Sequence, residues 1–380
     1  MEQSPTDILR LASERALAHG NDSLVEDPDT RSRIELICRN LRNRACARFV
    51  LATTLAKTYR PEVDIRKPYT EIGDDDSYSG RTFDEAYVTS FVMQHSLPCN
   101  PTTAFLTPAF RNRNVTLTPD LIMAGRPEEL YKATLQLLTD IQTGLISASE
   151  VLVETIRVLL IVRDEQKGQI ESLLSGLQLM GDTTALSAEA IVNLVEQHLK
   201  AAHSSRLPVL VVAAAYHAAE DRLGERVLPL AGHNAADQQT GALGDLEITL
   251  VSDDKVITSY EMKTRRVTIN DIDQALKKIL NAGNRVDNYV FITTEPIEVL
   301  VKEYALTIYD QTGGIEIVIL DCIDFLRHFL HLFHRLRRAF LDTYQQLVLD
   351  EPTSAVDQPL KVAFLALRQA AESRGTEASP

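Results

Sequence analysis

From residue 246 onward, short apolar segments alternate with amphipathic ones, and that order constrains the fold more than any other feature of the chain. LEITLVS, beginning at Leu246, alternates apolar and polar residues, which is the period of a half-buried strand. VITSYEMKT, beginning at Val256, follows at hairpin distance, and Asp253-Asp254 reads as the turn between the two. INDIDQALKKILNAG is then an amphipathic helix, capped by Asn270 or its neighbour and ended by Gly283. NYVFITT is a short buried strand, PIEVLVKEYALTIYDQTGG a helix opened by Pro296, IEIVILD another strand, and DFLRHFLHLFHRLRRAFLDTYQQLVL one long helix. Strands separated by helices imply parallel neighbours joined by crossovers, and the initial hairpin is antiparallel. The expected fold is therefore α/β: a mixed sheet flanked by helices.

The hairpin carries the chemistry. Side chains two apart on a strand point to one face, so Glu261 and Lys263 project together and Met262 points away. A turn near Asp253-Asp254 brings Asp245 opposite about residue 262, beside that pair. Two converging carboxylates form a hard-oxygen site suited to Mg²⁺, which takes carboxylates, waters and phosphate oxygens. An ion there can polarise a scissile phosphate and lower the pKa of a bound water. Lys263 can orient that water or stabilise charge developing on phosphorus. Glu247 lies two residues past Asp245 on the same face, and Glu220, on the helix PVLVVAAAYHAAEDRL that ends at Gly224, is a candidate helper. A loop with Gly232, Asn234, Gly241 and Gly244 links that helix to the first strand.

The rest of the 380 residues sorts around this segment. Residues 1 to about 60 read as helical, with RIELICRNLRNRACARFVLATTLAKTY as one helix. A further helix is expected from about Thr82 to His95, a Pro-rich loop from 97 to 120, and helices from about Pro127 to Lys200 with Ser187 as an N-cap. This divides the chain into a mostly α-helical N-terminal domain, 1–200, for DNA recognition or dimerisation; a catalytic domain, 201–350; and an extension, 351–380, whose tail from about Glu372 is expected to be disordered. No apolar run is long enough to span a bilayer, the N-terminus lacks the apolar core of a signal peptide, and the four cysteines form no CxxC pair. They read as reduced thiols of a cytoplasmic protein. The net charge of −14 is awkward for a nucleic-acid enzyme, but basic clusters occur at Arg39 to Arg48, at Arg111 and Arg113, at Lys263 to Arg266 and at Arg335 to Arg338.

The pattern GD(245)LEITL…YE(261)MK(263) resembles the PD-(D/E)xK nuclease superfamily in order and spacing. Gly244 stands where the superfamily's name has proline. The likeness covers about a third of the chain. Across its length the chain also resembles SacI-type restriction endonucleases, on the stretch Asp76-Ser77-Tyr78-Ser79-Gly80-Arg81 and the polar Pro-rich segment through Phe110, Arg111, Asn112 and Arg113. The resemblance implies a type II restriction enzyme that binds a short palindrome in double-stranded DNA as a homodimer, cuts both strands with Mg²⁺ and leaves 5′-phosphate ends. Repair nucleases of the same superfamily and a non-catalytic DNA-binding protein are the alternatives.

Other residues carry two readings each. Arg81 and the Arg111-Asn112-Arg113 cluster fit base readout, since Arg pairs with guanine and Asn with adenine, and fit equally a polar loop held by its own hydrogen bonds. Arg265 and Arg266 suit phosphate contact or plain surface charge. Gln274 faces the site or solvent. His328, His331 and His334 have helical spacing but no carboxylate partner that would make them metal ligands.

Overall fold

The structure is a computed structural model and describes residues 3–179, 186–230, 242–282 and 286–377. The chain forms two compact units, Met1–Gly168 and Gln169–Pro380, with the boundary inside a long helix.

The first unit is helical: α1 Pro5–His19, α2 Pro28–Arg39, α3 Ala45–Tyr59, α4 Gly80–Phe83, α5 Thr89–Gln94, α6 Glu128–Gln142 and α7 Ala148–Leu179, the last running past the boundary. Local chemistry starts the first two. Ser4 and Asp7 make a reciprocal capping box on α1, and Asp27 caps α2 through the Thr30 N–H. The single helix expected from Arg33 to Tyr59 is broken at residues 40–44. There the Asn40 side chain accepts the Asn43 N–H (2.8 Å) and the Asn43 side chain accepts the Ala45 N–H (3.2 Å). Side-chain amides that satisfy the backbone locally compete with the helix.

Helix α3 is apolar nearly all round and occupies the middle of this core. Its Arg48 is buried against Asp84, in the π turn Asp84–Val88 between α4 and α5. Nε of Arg48 meets Oδ1 of Asp84 at 2.6 Å, and the guanidinium also donates to the Asn100 and Pro101 carbonyls and to the Thr89 hydroxyl. The other Asp84 oxygen accepts from the Thr103 hydroxyl and the Ala104 N–H. Phe110 anchors the expected 97–120 loop by stacking on Phe49 at 4.0 Å.

The second unit holds the sheet. Its elements after α7 are α8 Ala188–Leu199, α9 Leu207–Leu223, β1 Glu225–Val227, β2 Leu246–Leu250, β3 Asp253–Lys263, α10 Ile269–Ala282, β4 Asn288–Thr293, α11 Val299–Thr312, β5 Glu316–Asp321, α12 Cys322–Leu332, α13 Arg337–Asp350 and α14 Gln358–Glu377. The sheet order is β1-β2-β3-β4-β5, antiparallel through β3 and parallel beyond it. This is the expected α/β architecture, with β1 as a strand too short to show in the sequence pattern.

Three details depart from expectation. The hairpin turns at Val251-Ser252, because Asp253 already pairs with Leu250. Irregular register on either side of Thr249 makes β2 and β3 unequal. The long C-terminal helix is two: Phe333 breaks the α conformation, and the bend sets Phe329 and Phe340 facing at 6.0 Å in one core. Helix α14 is described to Glu377. Leu360, Phe364 and Leu365 bury its apolar side, and Arg368 bridges to Asp342 and Glu372.

The two sheet faces meet different helices. Leu246, Ile248, Tyr260, Val290 and Ile292 join the core with α8, α9 and α12 to α14. Tyr289, Phe291, Ile317 and Ile319 join the core with α10 and α11. By strand alternation, Ser259, Glu261 and Lys263 belong to the α10/α11 face.

Candidate active site

Asp245 is the residue just before β2, and β3 holds it in place. Its N–H donates to the Tyr260 carbonyl (2.8 Å), and its Oδ2 accepts the Met262 N–H (2.7 Å). Leu246 pairs with Tyr260, so the next step of the register sets Asp245 across from Glu261. Gly244 makes this approach possible. A Cβ there would lie 2.5 Å from the Tyr260 carbonyl oxygen and 2.6 Å from the Ser259 hydroxyl. Position 244 is thus a close backbone contact that glycine alone fits.

Glu261 and Lys263 sit near the end of β3, the middle strand of five. The Lys263 ammonium is 2.7 Å from Oε1 of Glu261, and the two side chains are 20% and 15% exposed. The Tyr289 hydroxyl, on β4, lies 3.1 Å from Oε2 of Glu261 and 3.0 Å from the Leu243 carbonyl. One phenol thereby ties the loop that delivers Asp245 to the carboxylate across from it. Glu247 shares this face, and its side chain accepts the Leu243 N–H (2.8 Å).

Helix α10 closes the site from above the sheet. Thr268 and Asp271 form its N-terminal box, with Asp271 accepting the Thr268 N–H and hydroxyl. Asp271 also lies 3.8 Å from the Lys263 ammonium and takes two bonds from Arg265, at 2.9 and 2.6 Å. Burial pushes its carboxyl up, but the Arg265 and Thr268 bonds outweigh that and hold it at about 2. One turn short of the C-terminus of the same helix, Lys278 reaches within 3.6 Å of Oε2 of Glu261.

The structure therefore brings Asp245, Glu261 and Lys263 together and leaves other expected residues elsewhere. Glu220 is on α9, which packs on the opposite face, and it lies 3.9 Å from His217. Arg265 is engaged with Asp271, and Arg266 with Glu298 at 3.3 Å. Gln274 is exposed on the α10 stripe between Asp271 and Lys278. In the first unit, Arg81 pairs with Glu85 (2.7 Å), Arg111 and Asn112 are exposed with Asn112 at φ +52°, and Arg113 donates to the Ala109 carbonyl. The cap at α10 is Thr268, not Asn270, and Gly232, Asn234, Gly241 and Gly283 lie outside the described residues.

Asp271, Lys278 and Tyr289 escaped the sequence reading. Thr268-x-x-Asp271 is a readable capping signature, and a tyrosine inside an apolar strand must find a partner for its hydroxyl. Lys278 carries no such mark.

Two carboxylates on neighbouring strands suit an ion that keeps most of its waters, as Mg²⁺ does. Among the described residues no three His, Cys, Asp or Glu groups converge, so a closed all-protein cage is not what these residues offer. No described helix is long and apolar enough to cross a membrane.

Residues 183–295 match the family model of the SacI restriction endonuclease C-terminal domain. The matched segment is about 30% of the chain and contains Asp245, Glu261, Lys263 and all of α10. No curated protein matches the chain.

Proposed function

We propose that this chain is a type II site-specific deoxyribonuclease that hydrolyses phosphodiester bonds of double-stranded DNA with Mg²⁺, as part of a restriction-modification system. One observation carries the reading: a carboxylate entering β2 stands across from a glutamate–lysine pair on β3, inside the segment that matches a restriction endonuclease domain.

Asp245 and Glu261 would hold the ion. When bound, it polarises the scissile phosphate and lowers the pKa of a coordinated water. The protein's own groups do the rest. The Met262 N–H fixes the Asp245 carboxylate, so one ligand is oriented before substrate arrives. Lys263 presents its ammonium beside Glu261, where it can hold the attacking water or a phosphate oxygen gaining charge. Asp271, 3.8 Å away on its other side, keeps that ammonium from swinging out.

A palindromic site calls for a twofold protein, so the enzyme is proposed to act as a homodimer. The four buried free cysteines suit a reducing, cytoplasmic setting. Arg81, Arg111, Asn112 and Arg113 are proposed as DNA contacts of the first unit, and Arg265, Arg266 and Gln274 of the second.

The test is cleavage of mixed plasmid DNA in Mg²⁺ with the ends mapped. Discrete fragments with 5′-phosphates are expected, and Asp245→Asn should abolish them. A nicked or smeared product would favour a repair nuclease, and cutting in EDTA would overturn the metal-dependent reading.

A further inference from the structure

Helix α10 delivers a second lysine to the carboxylate pair. Lys278 Nζ stands 3.6 Å from Oε2 of Glu261, while Lys263 Nζ holds Oε1 at 2.7 Å. Each oxygen of one carboxylate thus faces an ammonium. The placement follows from the helix itself. Ile272, Ala275 and Ile279 bury the apolar side of α10, and Lys278 lies seven residues from Asp271, on the stripe that looks at the site. Its side chain is 33% exposed, so the head is near Glu261 and still within reach of solvent and substrate.

Charge arithmetic gives this lysine a role. Asp245 and Glu261 carry two negative charges, and Lys263 and Lys278 carry two positive ones. Arg265 offsets Asp271 beside them, and Glu247 on the same face adds one further negative charge. A divalent cation on the carboxylates would turn this nearly balanced cluster net positive, which suits a phosphodiester and the further negative charge that builds on it during attack. The same cation repels the Lys278 ammonium from Glu261. A flexible four-carbon stem lets that head move to a nearby phosphate oxygen, as a point charge needing no fixed geometry.

Resting on the nuclease reading above, we propose that Lys278 is the counter-ion of Glu261 in the metal-free protein and a phosphate-holding catalytic residue once the divalent ion is bound. Lys278 therefore competes with the metal it later assists.

The experiment is calorimetric titration of the full chain with Ca²⁺, without DNA, for wild type, Lys278→Met and Lys278→Arg. Removing the competitor should tighten ion binding about three- to tenfold, whereas Lys278→Arg should stay within about twofold of wild type. At saturating Mg²⁺, Lys278→Met should cleave DNA about tenfold more slowly or worse. A purely structural lysine would give unchanged or weaker ion binding on removal, and that result would overturn the proposal. Asp245→Asn and Glu261→Gln separate the two readings. If they abolish Ca²⁺ binding and Lys278→Met does not change it, the role of Lys278 fails alone. If they bind Ca²⁺ like wild type, the metal site itself fails.

Discussion

The Arg48–Asp84 pair of the first unit and the Asp245, Glu261 and Lys263 group of the second are both charged assemblies inside folded units, yet they are built to opposite ends. Arg48 and Asp84 are 1% and 0% exposed, and Thr89 at the start of α5 and residues 100–104 beyond that helix satisfy both groups. Nothing could enter without breaking a bond that holds the fold. At the end of β3 the charges keep a share of solvent: Asp245 stands across the strand pair from Glu261, and Glu261 is held by Lys263. Like charges brought together are costly, and such a place is stable only with a counter-ion or a ligand. Sealing marks the first as structural, and the half-open arrangement marks the second as a candidate site.

The largest effect should come from the sealed pair. Asp84→Ala leaves the Arg48 guanidinium buried without its partner and should cost about 3–5 kcal/mol in urea unfolding of the first unit. A loss below about 1 kcal/mol would show that the network is not structural.

A smaller effect is expected at His198, another sealed group. Its ring is buried, Nε2 donates to the Leu360 carbonyl at 3.1 Å, and Nδ1 accepts from the Tyr344 hydroxyl at 3.0 Å. Burial outweighs the Leu360 bond and pushes the imidazole down to about 4 from an ordinary 6.5. The unfolded chain then binds the proton more readily than the folded one. Stability is therefore full above about pH 6.5 and is lost as pH falls toward 4. Between pH 7.5 and pH 5 the loss should be about 2 kcal/mol, read as the difference between wild type and His198→Gln. Equal pH slopes for the two proteins would remove His198 from the account.

The smallest stability change belongs to the open site. Lys263→Met removes one arm of a partly exposed pair and should shift unfolding by less than about 1 kcal/mol. A shift as large as that of Asp84→Ala would erase the contrast between the two assemblies.

The sheet and the placement of the candidate site residues on it were legible because strand alternation has a fixed period. Once LEITL and VITSYEMK are strands, Glu261 and Lys263 must share a face, and a short turn must set Asp245 beside them. The turn position was not legible. Val251 and Ser252 carry no turn signature, and the irregular pairing around Thr249 absorbs the offset that Asp253-Asp254 suggested. Helix breaks at Asn40 and Phe333 were hidden because apolar spacing continues across both. The reach of Lys278 and Asp271 into the site depends on how α10 packs on the sheet, which is a tertiary fact.

The central claim is tested most directly by the turnover of Lys263→Met on plasmid DNA in saturating Mg²⁺, with binding of uncut DNA measured in Ca²⁺ alongside. The account predicts cleavage slowed about 10²- to 10³-fold with DNA affinity close to wild type. Cleavage at the wild-type rate would contradict it.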